Sequence, residues 1–331
     1  MGHPVLDESE SKDPLWHPWP HVTCYTGILA VWEATNDPSF LEQALRYGRQ
    51  LRGQVGKELV GPNRLFPIQL WAQLYLAKRD PAMIEPSIKR LDTPEPLTPA
   101  GSKEWYMDAR ESKDHPIPYV DSLYGAPALA MLAKAIGDRK YVDIMNGFFD
   151  DVTARPFDKE SGLYYRDTTF IGQRTLHGKK ILWSRGNGWA FAGIARVLDY
   201  LPKHDPARHH YVQVFRRMAR ELTKRQGADG LWRMNLDDPE QFPNPESSGS
   251  AFFCFGLAWG INRGVLSQKD YLPAVYKAWN GLTRNVSPEG KVLWGQLEDY
   301  QPNATSRESS HEFVTGAFLL AGSEVYRLTG R

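Results

Sequence analysis

Residues 21–53, HVTCYTGILAVWEATNDPSFLEQALRYGRQLRG, carry the pattern from which the fold of this chain is read. The first half is nearly apolar all round at helical spacing, and Asn36-Asp37-Pro38 punctuates it. The second half keeps the helical period but adds a charged face. A helix that is apolar on every side belongs inside a structure, and one with a charged face belongs on its outside. The same couplet recurs at about 65–78 and 81–92 around Arg79-Asp80-Pro81, and at 121–136 and 139–153 around Gly137-Asp138. It returns at 187–201 and 206–225 near Lys203-His204-Asp205-Pro206, and at 248–263 and 269–285. A last helix, about 312–328, stands alone. The repeat predicts an all-α protein, an (α/α)6 toroid with inner and outer rings. Twelve helices would complete it and eleven are marked, so the first helix is expected to be missing at the N-terminus. There, residues 1–18 read as a polar, irregular segment.

Composition narrows the partners. The 331 residues show no linker or charge block, so one domain over 1–331 is expected. Forty basic residues face thirty-nine acidic ones, which argues against nucleic acid and membrane surfaces as partners. Cys24 and Cys254 lie in apolar stretches and read as packed hydrophobes. No apolar h-region opens the chain and no stretch nears eighteen apolar residues, so a cytoplasmic location is expected, or a periplasmic one if an N-terminal segment precedes this sequence. Eleven Trp, fifteen Tyr and fourteen Phe are available for stacking on sugar faces, although most such rings fill a helical core.

Three connections repeat: Gly162-Leu163-Tyr164-Tyr165, Gly230-Leu231-Trp232 and Gly290-Lys291-Val292-Leu293-Trp294. Each reads as a tight turn into a short extended segment. They lead to inner helices that begin with small residues at Gly186-Asn187-Gly188, Ser247-Ser248-Gly249-Ser250 and Thr315-Gly316-Ala317. Small residues at helix starts either leave room for a ligand at one mouth or serve close packing. The most specific string is Trp183-Ser184-Arg185-Gly186-Asn187-Gly188-Trp189. A planar guanidinium between two indoles at a helix start can grip an acidic sugar. The same residues could equally form a buried Arg clamp.

That string resembles the Trp-x-Arg-Gly-Asn-Gly-Trp motif of glycoside hydrolase family 105 and its relative, family 88. Tyr119-Val120-Asp121-Ser122-Leu123-Tyr124-Gly125-Ala126-Pro127, Glu246-Ser247-Ser248-Gly249-Ser250-Ala251 and Thr315 to Tyr326 resemble further segments of those families, in order. The resemblance covers most of the chain from about residue 20. It implies a six-hairpin glycosidase that removes a terminal 4,5-unsaturated uronic acid from a small oligosaccharide. A carboxylic acid protonates C4, water adds at C5, and the hemiketal opens to release the remaining sugar. Asp121 is the candidate catalytic acid. Apolar surroundings would raise its pKa, whereas a helix start would lower it. Trp183, Arg185, Trp189, Arg166, Trp19 and Glu246 form the candidate substrate-binding set. The resemblance implies no cofactor and no metal; His17, His21, His177 and His311 lack ligand spacing and read as structural or surface histidines.

Two departures stand out. Where the families carry an acidic pair at the second inner helix, this chain has Asn63-Arg64, and where they carry His after Gly-Leu-Tyr-Tyr it has Arg166-Asp167. Asp108, Asp114 or Glu246 could stand in for the lost carboxylate. Alternatives on the same fold are an inverting glycosidase or glucuronidase using Asp121 with a second carboxylate such as Glu246, or a binding protein that has lost catalysis.

Overall fold

The computed structural model describes residues 19–51, 65–92 and 119–330. Among them run eleven α-helices: α1 (Trp19–Thr35), α2 (Pro38–Leu51), α3 (Leu65–Lys78), α4 (Glu85–Asp92), α5 (Pro127–Ile136), α6 (Lys140–Ala154), α7 (Ser184–Tyr200), α8 (Arg208–Lys224), α9 (Ser247–Asn262), α10 (Gln268–Arg284) and α11 (Glu312–Leu328). The odd-numbered helices form the inner ring, each packed on the next, and α11 returns to α1 to close it. Its interior is sequence-driven: every residue of α9 from Ser247 to Ile261 and of α7 from Ser184 to Leu198 is buried. The even-numbered helices lie outside. Six inner and five outer helices are therefore described, and the outer place between α11 and α1 is the one no described helix fills. None of the described helices is long and apolar enough to cross a membrane.

The hairpin turns share one construction. Asn36, Arg79 and Gly137 each adopt a left-handed backbone, with φ of 58°, 59° and 77°. Each donates its N–H back into the inner helix it ends, to Trp32, Tyr75 and Ala133. The aspartate that follows then caps the outer helical segment: Asp37 accepts from Ser39 N, Asp80 from Ala82 N and Asp138 from Lys140 N. Asp205 does the same for Ala207 N before α8.

Ring closure needs close backbones. A Cβ on Gly27 of α1 would run into the carbonyl oxygen of Gly316 in α11, and a Cβ on Gly316 would meet that of Thr23. The three repeated glycine turns are also real: Gly162, Gly230 and Gly290 have positive φ, and the first closes a hairpin of β1 (Phe157–Asp158) and β2 (Leu163–Tyr164).

One inner element differs from the periodic reading. The segment expected as a single helix over 121–136 is a 3-10 turn, Val120–Tyr124, followed by α5 from Pro127. Pro127 has no N–H to donate into a continuous ladder and suits the first turn of a new helix. Asp121 therefore sits on a short, tightly wound turn.

The inner elements meet at one aromatic hub. The ring of Trp189 on α7 lies 6.1 Å from Trp19, 5.7 Å from Phe66, 4.7 Å from Tyr124, 4.5 Å from Phe252 and 6.1 Å from Phe313. Each partner comes from near the start of a different inner helix, or from the 3-10 turn before α5, so all six inner elements begin at the same end. Truncating this hub leaves a cavity at the junction of the ring. Trp189→Ala should cost about 3–5 kcal/mol in urea unfolding, with Trp189→Phe losing clearly less; a loss below about 1 kcal/mol for the alanine variant would contradict this packing role.

Candidate active site

The end at which the inner helices begin carries the positive ends of their dipoles, which favours negative charge; at α9 the Glu246 carboxylate already takes the first N–H groups. The mouth is built from the 3-10 turn with Asp121, the β2 segment running to Arg166-Asp167, the start of α7, the start of α9, and the loop 295–301. Asn187 ties the first parts together: its Oδ1 accepts from Tyr164 N at 2.8 Å and its Nδ2 donates to the carbonyls of Tyr164 and Trp183. Val120 N donates to Arg166 O at 2.8 Å, which fixes the 3-10 turn beside this strand.

Asp121 is the outlier of the site. It does not cap the turn, whose N-cap is Tyr119, and its Oδ1 is buried without a hydrogen-bond partner among the described residues. Burial raises its pKa to about 6; the Arg166 and Arg185 charges pull it down and Asp167 pushes it up, but desolvation dominates.

The other expected residues are more fully engaged. Arg166 is buried, pairs through Nη1 with Asp167 Oδ2 at 2.7 Å, and lies between Tyr119 (4.6 Å) and Tyr300 (5.7 Å). Arg185 donates from Nη1 to the carbonyls of Gln296 (2.7 Å) and Leu297 (3.0 Å), and from Nη2 to that of Asp299 (3.0 Å). Its guanidinium also covers the rings of Trp183 and Phe313. The clamp reading of the Trp-Ser-Arg-Gly-Asn-Gly-Trp string is therefore present in the geometry. Trp183 is buried and donates from Nε1 to Gln296 Oε1 at 2.8 Å, while Trp189 lies in the hub below the mouth. Trp19 is half-buried at the rim, stacked on Phe313 and parallel to His311. Glu246 is fully buried and caps α9: Oε2 accepts from Gly249 N, while Oε1 accepts from Ser248 N, Ser248 Oγ and Gln296 N. Asn63-Arg64, Asp108, Asp114 and His17 lie outside the described residues.

Sequence reading did not single out Gln296, Tyr300 or Tyr119, which lie in or beside irregular segments without periodicity. His311, expected to be a structural or surface histidine, borders the mouth. It pairs through Nε2 with Glu298 at 3.2 Å and through Nδ1 with Glu312 at 2.7 Å, which together raise its pKa to about 9 against the opposing effect of burial. The His311-Glu312 pair at a predicted helix start was the available signal. Among the described residues no three His, Cys, Asp or Glu side chains group as metal ligands.

Comparison with known proteins adds an independent finding. A sequence model described as Glycosyl Hydrolase Family 88 matches residues 4–329. The chain is similar to an unsaturated 3S-rhamnoglycuronyl hydrolase of Formosa agariphila, 41% identical over 217 residues; the match covers 63% of this chain and 58% of that relative. Among solved structures, a glycosyl hydrolase family 88 protein from Bacteroides vulgatus superposes with a TM-score of 0.82 at 28% identity, over 93% of this chain and 91% of that one. A structure described as a polysaccharide lyase gives 0.83 at 28% identity, over 94% and 91%.

The raised pKa makes a stability prediction whose sign is fixed. Folding favours the protonated form of Asp121, so stability is lost as pH rises from the ordinary aspartate range through about 6, and the cost persists above that. Asp121→Asn should therefore stabilise the protein by ~2 kcal/mol at pH 7.5. The gain should shrink toward zero near pH 4. Urea unfolding of both proteins at the two pH values checks it, and a destabilised variant at pH 7.5 would contradict the assigned environment.

Proposed function

The chain belongs to glycosyl hydrolase family 88, and on that premise we propose that it removes the terminal 4,5-unsaturated uronic acid from oligosaccharides produced by polysaccharide lyases. The observation that carries this reading is Asp121, a carboxyl group held near the boundary of protonation with one buried oxygen unbonded, at the mouth where the inner helices begin. A group that must give a proton to carbon and then assist water needs such a pKa.

In this mechanism the uronate enters carboxylate first, drawn by the helix N-termini and the Arg166 guanidinium. Protonated Asp121 delivers its proton to C4 of the C4=C5 enol ether. Positive charge develops at C5 and the ring oxygen, and the newly formed Asp121 carboxylate stabilises it and accepts a proton from the incoming water. Water adds at C5 to give a hemiketal. The C5–O5 bond then breaks to a ketone at C5, and collapse at C1 expels the adjoining sugar. Trp183, Trp189 and Trp19 shape the floor and rim, Arg185 holds the wall formed by residues 296–299 and keeps its positive charge near Asp121, and Glu246 fixes the start of α9.

The relative's name specifies a rhamnoglycuronyl substrate. We extend this to a preference for rhamnose next to the uronate. The inverting glycosidase reading needs a second carboxylate free to activate water, and Glu246 spends its oxygens on the four donors that organise α9 and Gln296. A lyase reading has one observation in its favour, the similar structure described as a polysaccharide lyase. The two activities differ in sign: a lyase creates the conjugated C4=C5 uronate absorbance, and the proposed hydrolase destroys it.

The wild-type protein should bleach the ultraviolet band of rhamnose-linked unsaturated disaccharides, with kcat/KM falling as pH rises through about 6, where Asp121 loses its proton. Asp121→Asn should slow the reaction by about 10²–10⁴-fold. A rising absorbance on intact polysaccharide would support the lyase, and unchanged absorbance on every unsaturated uronide would overturn the proposal.

A further inference from the structure

The loop 295–301 is held far more firmly than a surface connection requires. Arg185 binds three of its carbonyls, and Trp183 Nε1 and Glu246 Oε1 engage the side chain and backbone of Gln296. Gln296 Nε2 donates across the loop to Gln301 O at 2.8 Å. Asp299 accepts from Tyr300 N at 2.8 Å and from Asn303 Nδ2 at 3.1 Å. This bonding supports a tip whose largest side chain faces out: Tyr300 is 58% exposed. A single exposed aromatic is ordinary. An exposed ring on a loop anchored from the starts of α7 and α9 and resting against Arg166 is preorganised, and Arg166 is the charge that acts most strongly on Asp121.

We propose that Tyr300 is the platform for the leaving sugar, the residue to which the unsaturated uronate is attached, and so determines specificity on that side of the bond. This rests on the hydrolase reading above. With Arg166 beside one part of the ring, the exposed part offers an apolar surface to the C–H face of a pyranose. Such stacking uses the ring and not the phenol, so phenylalanine should replace it. Arg185 acts here as a positioning residue, since its three carbonyl bonds set where the platform stands.

The test compares two substrates that share the unsaturated uronate, one carrying rhamnose and the other a methyl group at C1. For Tyr300→Ala, the preference for the rhamnose-linked substrate, taken as the ratio of the two kcat/KM values, should fall about tenfold, mainly through KM. Tyr300→Phe should keep that preference within about twofold. An unaltered ratio in Tyr300→Ala, equal losses on both substrates, or a Phe variant as impaired as the Ala variant would each overturn the platform while leaving the hydrolase reading intact. Wild-type protein that turns over neither substrate would overturn the hydrolase reading itself.

Discussion

Everything at the mouth depends on the contact of Trp189 with rings from the other five inner elements. An inner ring of parallel helices brings like dipole ends together, which is unfavourable unless packing at that end offsets it. The aromatic hub supplies the packing with planar groups that tolerate tilted and edge-on approach. At the far side of the ring Gly27 and Gly316 let α1 and α11 meet backbone to backbone, which closes the inner ring.

Above the hub, the polar groups are almost all committed. Glu246 caps α9, Asn187 clips β2 to α7, Arg185 binds the carbonyls of the 295–301 loop, and Arg166 pairs with Asp167. Asp121 Oδ1 and Ser184 Oγ have no hydrogen-bond partner among the described residues, and for Asp121 this has a structural origin. Pro127 interrupts what would have been a long inner helix, so Asp121 rides on a separate 3-10 turn with no cap to make. Burial then sets its protonation. With most supporting groups paired and Asp121 Oδ1 buried without a partner among the described residues, the cost of desolvation falls on the carboxyl group proposed to move the proton.

The architecture was legible because helical period, turn chemistry and glycine placement agreed along the chain. Asn36-Asp37-Pro38 and its counterparts mark the turns, and the structure builds them with a left-handed residue and an aspartate cap. The 3-10 break escaped because apolar periodicity runs through Tyr124 and Pro127 without a gap. For the site, the sequence motifs pointed to Asp121, Arg185 and Trp189 as candidates, but residue type alone cannot say whether a guanidinium faces a ligand or a carbonyl. Arg185 meets three carbonyls contributed from more than a hundred residues away. Tyr300 lay beyond reach for the same reason: its significance comes from the anchoring of an aperiodic loop and its approach to Arg166, and neither leaves a local pattern.

The central claim is that Asp121 protonates carbon and water adds to C5, and the most direct measurement is the fate of solvent hydrogen. Turnover of an unsaturated rhamnose-linked disaccharide in D₂O, followed early by NMR, should place one deuteron at C4 of the released uronate with single stereochemistry, and Asp121→Asn should abolish it. A released uronate that retains its double bond and carries no deuterium at C4 would show ordinary cleavage at C1 and contradict the account.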